Sequence, residues 1–295
     1  MGPVDPILLL GAGGQLASDL VKVLPSASLI PLKRADVDVT DLSAIDRVLD
    51  AHRPAWVVNT TAFHRVDDIE RDPESTRQAF IVNAAAVHHL ALACTRRRAR
   101  LFHLSTDYVF GGGPPGPYAE DAPTAPLNAY GVSKLAGEQL IGLADPAHII
   151  VRSSGLYGVA GSAGKGGNFV ETMLRLAHKG APIKVVNDQT LAPTYTADLA
   201  AGIARLMTAR APGGVYHLTS GGACSWFEFA RRIFELCGLT PELTPTTSEA
   251  FGAPARRPRY SVLVNGRAAA LGLSPLPPWS EGLAAYLHAK EHIPR

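Results

Sequence analysis

Short apolar runs alternate with amphipathic stretches through the first half of the chain, and nothing else in the sequence constrains the fold as much. Ile7–Leu10, Ser28–Leu32, Ala55–Asn59, Arg100–Ser105 and His148–Arg152 read as strands. Gln15–Leu24, Leu42–Ala51, Ser75–Arg96 and Ala129–Gly142 read as the helices between them. Strands that are apolar on both faces need cover on both faces, and a helix after each strand supplies it in a parallel sheet. Right-handed crossovers then give an α/β fold, a doubly wound parallel sheet of the Rossmann type, with ligands at the carboxyl ends of the strands. After residue 155 the pattern loosens into a glycine-rich loop (Gly161–Gly167), helices at Phe169–Lys179, Ala197–Thr208, Trp226–Cys237 and Glu281–Lys290, and strands at Ile183–Val186 and Val215–Leu218. Residues 1–155 are therefore expected to form the dinucleotide-binding domain, with 169–180 and 196–210 returning to it. The remainder of 156–295 is expected to be largely a smaller, interleaved α/β substrate lobe.

The first strand runs into Gly11-Ala12-Gly13-Gly14-Gln15-Leu16-Ala17, which opens the first helix. Glycines there let the backbone turn tightly beside a pyrophosphate, which rests on the helix N-terminus with its free N–H groups. Gly11, Gly14, Gln15 and Leu16 are the candidate contacts. At the end of the second strand a carboxylate would bind the ribose 2′-hydroxyl of NAD. This chain carries Lys33-Arg34 instead. A basic pair favours the 2′-phosphate of NADP by charge pairing, so NADPH is the expected cofactor with NADH as an alternative. The bland reading is two solvated loop cations. Asp38 and Val39, at the next strand end, are placed beside the adenine.

Tyr130 and Lys134 stand at i and i+4, on one face of a helix. They follow a proline-rich entry (Pro123, Pro126) and lie downstream of Ser105-Thr106, a hydroxyl pair at a strand's carboxyl end. A ketone that receives hydride becomes an alkoxide and needs a proton. The expectation is that the nearby ammonium lowers the Tyr130 pKa and eases that proton transfer, while Lys134 also holds the nicotinamide ribose and Thr106 orients the substrate oxygen. By itself Y-x-x-x-K is often only a surface pair.

The formal net charge of +2 is too near balance to call for nucleic acid or a membrane surface. Arg96-Arg97-Arg98 ends a helical pattern, where cations suit the helix dipole. Three widely spaced cysteines, Cys94, Cys224 and Cys237, form no metal-type pairing and fit a reducing compartment. No apolar run approaches the ~20 residues of a membrane span, and no signal peptide is seen. A cytoplasmic protein, monomeric or homodimeric, without metal, is expected.

With these motifs in place the chain resembles the dTDP-4-dehydrorhamnose reductase family, of the extended short-chain dehydrogenase/reductase superfamily, over nearly its whole length. The carrying segments include GAGGQL (11–16), VVNTTAFHRVD (57–67), VNAAA (82–86), STDYVFGG (105–112), PLNAYGVSKLAGE (126–138), NDQTLAPT (187–194) and RRPRYSVL (256–263). The resemblance implies NADPH-dependent reduction of a 4-keto group on a nucleotide-activated deoxysugar, in dTDP-rhamnose or related deoxysugar synthesis. It assigns Thr106, Tyr130 and Lys134 as the catalytic set, with Asp107 and Tyr108 toward the sugar. It adds Ala62, Phe63 and His64 beside the cofactor, His64 as a contact rather than an acid or base. Lys33 lies where the family often has an acid. Asn168, Gln189 and Arg257 are expected to frame the nucleotide diphosphate, with a solvated loop as the alternative for the arginines. Related sugar dehydratases place an Asp-Glu pair after the threonine; Tyr108 in the second position favours simple reduction. Two departures stand out. Gly155 replaces the family tryptophan, and Leu191 replaces a glycine, so another activated deoxysugar is expected. The rival readings are a non-catalytic NADP-binding subunit, like the regulatory beta subunit of methionine adenosyltransferase, and a sugar 4-epimerase.

Overall fold

The structure, a computed structural model, describes residues 5–113, 116–145, 147–161 and 167–294. Most of the glycine-rich loop anticipated at 161–167 lies outside the described residues. The first half alternates β1 (Ile7–Leu10), α1 (Gln15–Val23), β2 (Leu29–Leu32), α2 (Leu42–His52) and β3 (Trp56–Asn59). Three helical segments follow, α3 (Val66–Arg71), α4 (Pro73–Phe80) and α5 (Ala86–Arg96), then β4 (Arg100–Thr106), α6 (Ala129–Ala144) and β5 (Ile149–Ser153). The second half adds α7 (Phe169–His178), β6 (Ile183–Val186), β7 (Thr190–Leu191), α8 (Thr196–Thr208), β8 (Gly214–His217), β9 (Cys224–Ser225) and α9 (Trp226–Leu236). It closes with β10 (Leu243–Thr246), α10 (Ser248–Phe251), α11 (Gly266–Ala270) and α12 (Trp279–Ala289).

Six parallel strands form the main sheet in the order β2-β1-β3-β4-β5-β8. From β1 the chain steps outward to β2 and then back across to β3, so the strand order reverses between β1 and β3. A reversal opens a crevice at the carboxyl ends of those strands. One sheet face packs Leu9, Val58 and Val151 against Leu20 of α1 and Leu199 and Ile203 of α8. The other packs Leu8, Val57 and Leu101 against Leu49 of α2, Leu90 of α5 and Ile141 of α6. Burial on both faces is why these strands read as unbroken apolar runs.

The helix expected at Ser75–Arg96 starts at Pro73, because Asp72 caps it by accepting from the Glu74 and Ser75 N–H groups. It is interrupted by a π-helical turn at Ile81–Ala85. Taken whole, Pro73–Arg96 is long and apolar enough to cross a membrane, where the sequence had suggested no such run; half of it is buried inside the fold. Its apolar side is core, so no bilayer is needed to explain it.

The lobe divides differently from the expectation. Segment 169–180, expected to return to the dinucleotide-binding unit, forms α7 in a separate core: Val170 and Met173 pack with Phe229 and Ile233 of α9 and Leu283 of α12. By contrast α8 lies on α1, and β8, placed with the lobe by its position in sequence, is the sixth strand of the main sheet, beside β5. The lobe also contains two small pairings, β6 with β10 and β7 with β9.

Candidate active site

The crevice at the sheet reversal opens into a cavity of about 850 Å³ that reaches the lobe. Gly11 forms its floor with a φ of +83°, and a Cβ there would stand 2.8 Å from the Thr60 Oγ1 at the end of β3. Only glycine permits that conformation and that approach. Gly14 begins α1 with no side-chain cap, so the first N–H groups of a nine-residue helix stay available for an anion. Gln15 donates from Nε2 to the Leu156 carbonyl (3.3 Å), while its Oε1 is buried with no partner among the described residues. The open helix start fits an anion such as a dinucleotide pyrophosphate, while the orphaned acceptor calls for a donor such as a ribose hydroxyl.

Leu16, Arg34, Asp38 and Val39 line the same cavity, as do Ala62, Phe63 and His64. Arg34 reaches Asp38 at 3.3 Å from an exposed position, and Thr40 donates to Asp38 from both its N–H and its hydroxyl, which holds that carboxyl below its ordinary pKa. Lys33 is not in the lining. Its backbone N–H donates to Asp36 and its side chain lies outside, because the chain leaves β2 at Leu32 and closes a turn on the Lys33 carbonyl that carries Arg34 to the cavity side. The basic pair thus contributes one cation to the cavity, not two.

Thr106, Asp107, Tyr108, Tyr130 and Lys134 gather at the carboxyl end of β4 and the start of α6. Asn128 caps α6 by accepting from the Gly131 N–H (2.8 Å). Gly131 lets the helix seat directly on the Tyr108 carbonyl, and Gly137 lets it seat on the Asn83 carbonyl of the π-turn; a Cβ at either would collide with backbone. The two glycines therefore seat α6 closely on the turn that follows β4 and on the π-helical turn before α5.

The Tyr130 phenol lies beside Thr106, whose side chain works against the rise in its pKa. Thr106 donates to Asp107 Oδ1 (3.2 Å) and accepts from the Tyr108 N–H (3.2 Å). Asp107 is buried and accepts from the hydroxyls of Ser154 (2.8 Å) and Ser261 (2.6 Å); burial raises its pKa to about 6 against those bonds. Burial also raises the Tyr130 pKa well above its ordinary value, aided by the negative charge of Asp107. This reverses the expected lowering by an ammonium. Lys134 directs Nζ to the Leu104 carbonyl (2.7 Å) and to His103 Nε2 (3.0 Å), and burial lowers its own pKa to about 8.

The lobe residues are placed less directly. Asn168 lines the cavity, yet its side chain caps α7 and donates to the Gly158 carbonyl and the Tyr286 hydroxyl. Gln189 lies outside the lining and donates to Ser248. Arg257 also lies outside: its guanidinium is taken by Asp67 (2.8 Å) and the Ala255 carbonyl (3.1 Å). It lies near Tyr108, which lines the cavity, and its charge works against the rise that burial gives the Tyr108 pKa. The expected diphosphate frame is therefore not assembled by Gln189 and Arg257.

Gly155 and Leu191, the two departures, meet. A Cβ on Gly155 (φ +54°) would lie 2.8 Å from Leu191 Cδ1, and both residues line the cavity. The leucine of β7 covers the spot that a side chain at 155 would otherwise occupy. At this spot the wall is aliphatic and comes from β7.

Several residues escaped the sequence reading. Asn83 accepts from the Phe63 N–H (2.8 Å) and donates to the Phe63 carbonyl (2.9 Å), fixing the cavity loop after β3. Glu138 and Arg152 form a buried ion pair behind Lys134. His103 sits between Asn59 and Lys134. The only signal for Asn83 was the VNAAA segment; an isolated Glu, Arg or His carries none.

A family model described as RmlD substrate binding domain matches residues 5–291. The dTDP-4-dehydrorhamnose reductase of Streptomyces griseus is 42% identical over 285 residues, covering 94% of this chain and 91% of its own. A probable dTDP-4,6-dihydroxy-2-methyloxan-3-one 4-ketoreductase of Streptomyces antibioticus is 41% identical, covering 97% of each chain. A crystal structure of dTDP-4-dehydrorhamnose reductase from Bacillus anthracis, in complex with NADP, superposes with a TM-score of 0.90 at 36% identity, covering 97% of this chain and 99% of that one. The main sheet, the glycine turn and the Thr106/Tyr130/Lys134 cluster are thus features of a protein that belongs to the dTDP-4-dehydrorhamnose reductase family of oxidoreductases.

Proposed function

We propose that this protein reduces the 4-keto group of a dTDP-linked deoxysugar with NADPH, and that Tyr130 donates the proton. The observation that carries the reading is the Tyr130 phenol set beside Thr106 and Lys134 on the wall of a cavity that begins at the glycine turn. When bound, the nicotinamide cofactor supplies the hydride. The residues supply the rest. A phenol kept neutral by burial holds its proton until a stronger base, the nascent alkoxide, forms beside it. Thr106, its own proton engaged by Asp107, fixes the phenol's direction. Lys134 places its remaining N–H into the cavity for the ribose hydroxyls. The free N–H groups at the α1 N-terminus would receive the pyrophosphate, Gln15 Oε1 would accept from a hydroxyl of the cofactor, and Arg34 would pair with the 2′-phosphate.

The aliphatic wall made by Leu191 over Gly155 supports a sugar other than the rhamnose precursor, with a less polar face toward that wall. The dihydroxy-methyloxanone named for the Streptomyces antibioticus relative has that chemistry. Purified protein should consume NADPH stoichiometrically with a dTDP-4-ketosugar, and a panel of such sugars should show a ring with fewer hydroxyls turned over best. Exclusive turnover of 4-dehydrorhamnose would overturn the specificity reading. Interconversion without net NADPH loss would point to an epimerase, and cofactor binding without turnover of any ketosugar to a regulatory subunit.

Cofactor choice has its own test. Arg34→Ser should raise the KM for NADPH by about 10–100-fold, the worth of a charge-assisted hydrogen bond, and leave that for NADH nearly unchanged. Equal effects on both cofactors would show that Arg34 does not read the 2′-phosphate.

A further inference from the structure

His103 is a buried titratable group that the reduction described above does not use. It lies within β4 with 0% exposure, and both ring nitrogens are engaged: Nδ1 stands 3.1 Å from Asn59 Nδ2 and Nε2 stands 3.0 Å from Lys134 Nζ. Which nitrogen carries the proton follows from the far end of this chain of contacts. The Thr61 backbone N–H can only donate, and it lies 3.0 Å from Asn59 Oδ1; the Thr61 hydroxyl lies 2.6 Å from the same oxygen. The amide of Asn59 is thereby oriented, oxygen to Thr61 and NH₂ to His103. An amide NH₂ only donates, so Nδ1 must accept, and the neutral imidazole carries its proton on Nε2. That N–H points at Lys134. An ammonium offers three donors and no acceptor, so it would face Nε2–H donor against donor. An amine turns its lone pair to the imidazole and completes the bond.

We propose that His103 is a positioning residue: held by Asn59 as the Nε2–H tautomer, it donates to Lys134 and biases that lysine toward the neutral amine in the cofactor-free enzyme. Of the two N–H groups an amine retains, one goes to the Leu104 carbonyl at 2.7 Å and the other is left for the cavity. The imidazole thus decides where Lys134 can donate. The other ionisable groups around Lys134 are arranged so as not to undo this. Glu138, on α6 itself, favours the ammonium, yet Arg152 of β5 and the Ser105 hydroxyl of β4 take up its carboxylate. Asp107, in the turn after β4, is held by Ser154, Ser261 and Thr106. Tyr130, on α6, is kept neutral by burial. Burial acts on Lys134 in the same direction as the tautomer, and places its titration at about 8.

The tautomer can be observed directly. In cofactor-free protein labelled with ¹⁵N-histidine, the ring assigned to His103 by its nuclear Overhauser contacts to Lys134 should be neutral, with the proton on Nε2, from neutral to mildly alkaline pH. A proton on Nδ1, or an imidazolium, overturns the proposal. The second measurement follows the Lys134 ¹³Cε shift with pH in ¹³C-lysine-labelled protein. His103→Gln can turn an amide oxygen toward Nζ, which gives the ammonium an acceptor, so the Lys134 titration should move up by about one pH unit or more. An unchanged titration in folded His103→Gln, as a purely structural role predicts, also overturns it. Should that variant not fold, the wild-type tautomer alone decides. The catalytic meaning rests on the reductase reading, but both measurements use neither substrate nor turnover, so the two can fail separately.

Discussion

Replacing Tyr130 by phenylalanine should lower kcat by about 10²–10⁴-fold, the usual contribution of a positioned general acid. The ring is retained, so its edge-on contact with Tyr108, at 6.0 Å between centroids, should survive. Only the hydroxyl beside Thr106 is lost. Thermal unfolding and NADPH affinity should therefore stay close to those of the parent, while single-turnover rates with a reducible ketosugar collapse. A folded Tyr130→Phe variant with full turnover would remove the phenol from the mechanism. Because burial raises the Tyr130 pKa, the loss should be similar at neutral and mildly alkaline pH: the parent phenol stays protonated across that range.

Glu138→Ala should destabilise the protein by about 3–5 kcal/mol, the cost of leaving a buried charge without its partner. Arg152 donates to both Glu138 oxygens, at 3.0 and 2.6 Å, and the two side chains are 5% and 4% exposed. Removing the carboxylate strands the guanidinium between β5 and α6 and also leaves Ser105 without its acceptor. Denaturant unfolding would read this as a lower midpoint with an unchanged slope. Removing both charges together, as in Glu138→Leu with Arg152→Met, should recover much of the loss, since a well-packed apolar pair often replaces a buried ion pair at little cost. If the double variant is no more stable than Glu138→Ala, the pair does more than satisfy its own charges.

The architecture was legible because its causes are local in sequence. Strands covered on both faces are continuous apolar runs, and Ile7–Leu10 and Ala55–Asn59 show this directly. The glycine turn was legible because Gly11 needs a positive φ and a close approach to Thr60, which no other residue tolerates. Tyr130 and Lys134 were legible because helical spacing alone puts them on one face. The lobe was not. Whether a segment such as 169–180 returns to the sheet depends on which apolar face it meets, and Val170 and Met173 would suit either core. Arg257 and Gln189 were assigned by residue type, whereas Asp67 and Ser248, distant in sequence, take up their donors.

The sequence by itself determined the alternation of strands and helices, the glycine turn that opens α1, and the residue types that meet at the end of β4. Periodicity and backbone permissiveness belong to neighbouring residues, so they can be read in order along the chain. Only the tertiary structure decided the protonation landscape: a raised Tyr130, a lowered Lys134, and an imidazole between Asn59 and that lysine. Those depend on how much water is excluded and on which donor faces which acceptor across strands β3 and β4 and helix α6. Both are properties of packing, which brings together residues that lie far apart in the chain.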